Sequence, residues 1–120
     1  MRFDDDRNTV TEDYLRAIYE QRKNGIVTQV MLAHRFDVSR ATVCNTIARM
    51  RRDGLIETDA LRLTDDGLAY AQDMTRRYYR IIAVLEHAGM ERDACPEREA
   101  DRLEHCMSEY AITLLEDVIP

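Results

Sequence analysis

A chain of 120 residues, 45% hydrophobic and 33% charged, can bury one core and is expected to form one domain, or a small domain with a dimerisation extension. Its apolar runs are only a few residues, far short of a membrane span. Met1-Arg2-Phe3-Asp4-Asp5-Asp6 also lacks the basic-then-apolar order of a secretion signal, so the expected location is cytoplasmic, with no membrane partner. Three cysteines (Cys44, Cys95, Cys106) without C-x-x-C spacing exclude a disulfide framework and a thiolate zinc site.

The formal charge of −6 is unevenly spread. Between residues 24 and 52, five arginines (Arg35, Arg40, Arg49, Arg51, Arg52) stand against one acid, Asp37, whereas the second half is acidic. That separation keeps a nucleic-acid role open for the first half, whatever the sum.

In chain order, Asp4-Asp5-Asp6 is expected to be a disordered start. Thr9 or Thr11 is the expected N-cap of a first helix, in which Tyr14, Leu15, Ile18 and Tyr19 follow a 3.6-residue period and which Asn24-Gly25 ends. Thr28 caps a short second helix through Val30, Met31, Leu32 and Ala33. After a tight connection at Phe36-Asp37-Val38, Ser39 caps a third helix from Ala41 to about Arg52, with Val43, Ile47 and Met50 inward and Asp53-Gly54 as its stop. Leu55–Thr58 and Leu61–Thr64, around Asp59-Ala60, read as a hairpin. A long helix is predicted from Leu68 to about His87, with Gly89 as its stop. A last continuous helix is predicted from Cys95-Pro96 to Val118.

The order helix, short helix, tight turn, longer helix, hairpin is that of a winged helix-turn-helix. The expected fold is mainly α: a winged helix-turn-helix over residues 1–67, then an all-helical domain over 68–120. The third helix presents Arg40, Thr42, Cys44, Asn45 and Arg49 opposite its apolar face. Ser39, Thr42 and Asn45 are short polar groups suited to approach bases and phosphates, and Arg49, Arg51 and Arg52 are suited to hold the backbone. Asn45 suits adenine, and Arg40 suits guanine or phosphate. The candidate DNA contacts are therefore Ser39, Arg40, Thr42, Asn45 and Arg49, with double-stranded operator DNA as partner. Arg51 and Arg52 are equally well read as solvated.

Asp101, Glu104 and His105 stand at i, i+3 and i+4, so on a helix they share one face. Two carboxylates and an imidazole within a turn make a divalent-metal half-site, and the plainer reading is a solvated acidic face. Cys106 points about 100° away from His105 on a helix and is expected to be a small buried hydrophobe.

Val10-Thr11-Glu12-Asp13-Tyr14-Leu15-Arg16-Ala17-Ile18-Tyr19-Glu20 resembles the opening helix of the diphtheria-toxin-repressor/manganese-transport-regulator family. The stretch from Thr42 to Leu55 is similar to that family's recognition helix, Leu63-Thr64-Asp65-Asp66-Gly67 to the end of its wing, and Glu99 to Ser108 to its metal-binding helix. The resemblance implies a homodimeric, cytoplasmic, metal-dependent transcriptional regulator, a repressor, that binds DNA when Mn2+ or Fe2+ is plentiful. It implies the short form, without a C-terminal SH3-like domain. It implies metal ligands at Asp13, Asp101, Glu104 and His105, with Glu97 aligning with a further ligand position. An oxygen-and-imidazole set suits Mn2+ or Fe2+.

Two positions depart from the family: Tyr78 stands where the long helix carries a histidine ligand, and Arg16 where the manganese branch has a glutamate. Neither side chain replaces those ligands. The alternative readings are a metal-independent winged-helix regulator with a degenerate site, and a winged-helix module that contacts only protein. No second cluster of acids or nucleophiles completes a catalytic set, so no enzyme is expected.

Overall fold

The computed structural model describes residues 6–119, with side chains from residue 9 onward. Its elements are α1 (Asp6–Gln21), α2 (Gln29–Phe36), α3 (Arg40–Arg52), α4 (Asp65–His87), α5 (Pro96–Leu103) and α6 (Glu109–Val118). The chain divides into two compact units, Asp6–Gln72 and the part from Asp73 onward, so the division falls within α4. No described helix is long and apolar enough to cross a membrane.

The expected start of the chain needs two corrections. Disorder at Asp4 and Asp5 lies outside the described residues, while Asp6 opens α1. Thr9 and Thr11 therefore sit inside that helix and do not cap it.

In the first unit, α1 buries Tyr14, Leu15, Ala17 and Ile18. The ring of Tyr14 stacks on Phe36 of α2, with centroids 4.6 Å apart. Burial pushes the Tyr14 hydroxyl's pKa up, and a hydrogen bond with Thr46 and the Arg49 guanidinium oppose it. Thr28 and Ser39 act as N-caps as expected, accepting from the amides of Met31 and Thr42. Between them Asp37 takes the left-handed conformation and its amide closes on Ala33 and His34 carbonyls, which turns α2 into α3 over three residues. Val43, Ile47 and Met50 of α3 are fully buried. Glu12 is buried too, and the Tyr70 hydroxyl donates to it at 2.7 Å, fixing α1 to the start of α4.

The predicted hairpin is a minimal wing. Ile56 and Leu63 form one antiparallel bridge, flanked by Glu57 N–H to Arg62 O (2.9 Å) and Thr64 N–H to Leu55 O (3.0 Å). Thr64 ends the wing and starts α4. Its hydroxyl donates to the Gly54 carbonyl at 2.6 Å and accepts from the Gly67 amide at 3.0 Å.

In the second unit Ile81, Ile82, Ala100 and Ile112 form the core, with Tyr78, Leu85, Leu103 and Met107 packed around it. The expected continuous last helix is two helices. Glu104 still has αR backbone, but Ser108 is extended and its hydroxyl caps the Ala111 amide, starting α6 afresh. Arg77 of α4 donates to the Met107 carbonyl at the break, which further favours it.

Arg80 of α4 clamps α6, binding Glu116 through two nitrogens at 2.8 and 2.9 Å and Glu109 at 2.5 Å. The Arg80 guanidinium holds the Glu116 carboxyl below the usual glutamate range. A depressed acid contributes stability that is present above its unfolded pKa, near about 4.3, and is lost as pH falls through the native value. Below about pH 4.5 the thermal midpoint of the parent is expected to fall more steeply than that of Arg80→Gln. Parallel slopes in circular dichroism melts would show that the clamp contributes nothing.

Candidate functional site

The candidate nucleic-acid surface is the outer face of α3. Arg40, Thr42, Cys44 and Asn45 are exposed, opposite the buried Val43, Ile47 and Met50, so the expected division of the helix holds. Ser39 is exposed but already engaged as the cap, with its hydroxyl 2.9 Å from that of Thr42. Arg40 and Arg52 have no ion pair among the described residues.

Arg49 is only half-exposed. One of its guanidinium nitrogens is buried without a hydrogen-bond partner, and its charge acts on the Tyr14 hydroxyl. Arg51 departs from the sequence reading of a backbone-holding or solvated arginine. Its Nε donates to Glu57 O at 2.7 Å and its Nη2 to Ala60 O at 3.3 Å, so it grips the wing from the recognition helix. Nothing in the arginine-rich pattern distinguishes Arg51 from Arg52. The difference arises from the 100° step around the helix, which turns one toward the hairpin.

The candidate metal centre in the second unit is built on the end of α5. Asp101 is exposed, His105 is half-buried, and Glu104, 3% exposed, lies between them in sequence. A carboxylate oxygen of Asp101 and an imidazole nitrogen of His105 lie within 4.8 Å of one another, and His105 Nε2 is 4.0 Å from Glu104 Oε1. With bonds of about 2.1 Å in an octahedral, oxygen-rich site, two ligands of one ion stand at most about 4.2 Å apart. Donors held within 4.8 Å of one another are close to that limit, so the donor set fits a divalent ion. α5 ends at Leu103; Glu104 still has αR backbone, and His105 stands in the turn that follows, so the motif the sequence places on one helix straddles the helix end.

Asp13 lies on α1 in the first unit, beside the buried Glu12. Glu97 is in the first turn of α5 and forms an ion pair with Arg92, which also binds Glu86 at 2.5 Å. The Arg92 guanidinium holds the Glu97 carboxyl below the usual glutamate range. Sequence reasoning did not find Arg92, since nothing marks a loop arginine as a partner for acids five and six residues away on either side. Cys106 is exposed, not buried as expected. The break after α5 leaves it on the outside of the turn, with its thiol near the Arg102 and Leu103 carbonyls.

A three-residue turn between two helices, followed by a one-bridge wing, defines a winged helix-turn-helix protein with a second, all-helical unit. The family model described as "Iron dependent repressor, N-terminal DNA binding domain" matches residues 7–67. The diphtheria toxin repressor of Corynebacterium efficiens is 36% identical over 114 residues, covering 91% of this chain and 49% of its own length. The iron-dependent repressor IdeR of Mycobacterium tuberculosis is 36% identical over 104 residues, covering 82% and 45%. A solved structure of a manganese-dependent transcriptional repressor in complex with manganese matches with a TM-score of 0.78 at 30% identity, covering 90% of this chain and 51% of that one. The chain belongs to the iron-dependent repressor family, the diphtheria-toxin-repressor/manganese-transport-regulator group. It spans about half the length of the curated relatives it matches.

Proposed function

We propose that this chain is a metal-responsive, DNA-binding transcriptional repressor of the cytoplasm. The observation that carries the reading is the joint presence of an exposed polar face on α3 and the clustered donors Asp101 and His105. Ser39, Arg40, Thr42 and Asn45 are the proposed operator contacts, with Arg49 at the far end of the face. Asp13, Asp101, Glu104 and His105 are the proposed ligands of Mn2+ or Fe2+, and Glu97 is a further ligand that must first leave Arg92.

When bound, the ion supplies positive charge and a fixed coordination shell. Asp101, Glu104 and His105 hold it from the second unit. Asp13 stands on α1, in the unit that carries α3, so its recruitment couples metal occupancy to the DNA-binding half. Without metal the acids repel one another. The proposed partner in assembly is a second copy. Tyr110, Leu114 and Val118, at i, i+4 and i+8 on α6, are 74%, 46% and 78% exposed, an apolar stripe suited to pairing two such helices. Two α3 helices then read half-sites one DNA turn apart.

The test is selection of duplexes from a randomised pool at fixed salt with Mn2+, with Fe2+ and with chelator. The selected duplex is expected to bind about 10-fold or more tighter with metal than with chelator, the range of typical allosteric coupling. Asp13→Ala is expected to remove that difference while leaving the chelator-level affinity alone. A sequence selected equally well under chelator would instead support the metal-independent reading, which the Arg92–Glu97 ion pair and the packing of Tyr78 into the apolar core favour.

A further inference from the structure

We propose that the flank of the wing is a binding site for a small amphiphilic carboxylate, an apolar chain with one anionic end. A groove of about 630 Å³ lies wholly within the first unit. Ile18 and Val27 form its buried floor, Ile26 and the wing residues Leu61 and Leu63 line it, and Arg22 stands among them. That volume is within the roughly 300–1,000 Å³ of small-molecule sites, and the mixture of apolar walls with few polar groups is typical of them. Ile26 is 86% exposed, so a ligand covering it removes a large apolar surface from water.

Charge selects the ligand's polar end. Arg62, the other cation of the lining, is already paired with Glu57 at 2.6 and 2.9 Å. The Arg22 guanidinium lies 4.3 Å from the centre of the Tyr19 ring and has no acidic partner among the described residues. One free cation beside an apolar groove calls for one negative charge on an apolar body. A second copy of this chain is a poor occupant, because two such grooves facing each other bring arginines together.

The site bears on the wing. Leu61 and Leu63 belong to the hairpin, and Ala60, also in the lining, is the residue whose carbonyl Arg51 of α3 holds. Occupancy therefore acts on the element that the recognition helix grips. That consequence rests on the DNA-binding reading above; the binding itself does not.

The experiment is a titration of the chain, kept metal-free with chelator, with sodium decanoate and with the neutral decanamide, followed by methyl chemical shifts. Decanoate is expected to bind saturably, with shifts centred on Ile26, Val27, Leu61 and Leu63. Decanamide is expected to bind about fivefold more weakly, the factor that a partly screened ion pair of about 1 kcal/mol gives. Arg22→Gln should bind both ligands at the decanamide level. Equal affinity of the parent for the two ligands overturns the proposal, as do shifts scattered away from the groove. So do shifts at these residues that follow protein concentration without ligand, which would make the occupant a second copy. If decanoate binds as expected yet leaves affinity for the selected duplex unchanged, the site stands and its link to DNA binding fails.

Discussion

A His105→Ala protein is expected to bind Mn2+ and Fe2+ at least about 100-fold more weakly than the parent, since loss of even an outer-shell partner of a metal ligand typically costs 10–100-fold. His105 is the nitrogen donor of the set, and it lies within reach of both Asp101 and Glu104. Its removal leaves carboxylates alone, which suit Mg2+ and Ca2+ as well as they suit Mn2+. The metal-dependent gain in duplex affinity should vanish with it, while the chelator-level affinity stays, because α3 is untouched. Glu104→Gln separates ligation from packing: it keeps the volume of a nearly fully buried side chain and removes the charge. Isothermal titration with Mn2+ and anisotropy with the selected duplex read the two effects. Cys106→Ser is the internal control, since that thiol is exposed, sits by the Arg102 carbonyl and is not among the clustered donors. Unchanged titration curves for both His105→Ala and Glu104→Gln would remove this cluster from the metal-sensing machinery.

Much of this architecture is legible from local chemistry. Thr28 and Ser39 are caps whose hydroxyls meet the expected amides, and Val43, Ile47 and Met50 are spaced so that one helix face must be buried. Asp101 and Glu104 also come close to His105, because residues three and four apart in a local turn are neighbours whatever the rest of the chain does. The misreadings share a cause: each depends on a competing local signal or on a distant partner. Thr9 and Thr11 have cap chemistry, but the helix begins at Asp6 and absorbs them. Ser108 has the same chemistry inside a periodic apolar pattern, and there the cap prevails, splitting one expected helix into two and turning Cys106 outward. Arg51 and Arg92 are ordinary arginines until a wing carbonyl or a pair of glutamates from elsewhere in the unit is brought beside them. Periodicity specifies a face; it does not specify what the other face meets.

Gly67→Ala is expected to destabilise the first unit, the reverse of what the same substitution does in most helices. Alanine is the better helix former by about 1 kcal/mol, and Gly67 lies in the first turn of α4 without positive φ, so propensity alone predicts a gain. The added methyl, however, would sit 2.1 Å from the Leu55 carbonyl oxygen and 3.0 Å from its carbon. Both atoms are backbone, so no rotamer change relieves the overlap. The same carbonyl accepts the Thr64 amide that closes the wing, so moving it away breaks a ladder bond. Overpacking of this kind costs about 1–3 kcal/mol, and a backbone clash belongs at the upper end. For a unit of this size each kcal/mol lowers the midpoint of melting by roughly 4–8 °C. The displaced wing also loses its register with Arg51, so affinity for the selected duplex should fall even where the chain remains folded. Differential scanning calorimetry and duplex binding together decide it. A variant as stable as the parent would mean that the wing does not pack on α4 as closely as Leu55 and Gly67 require.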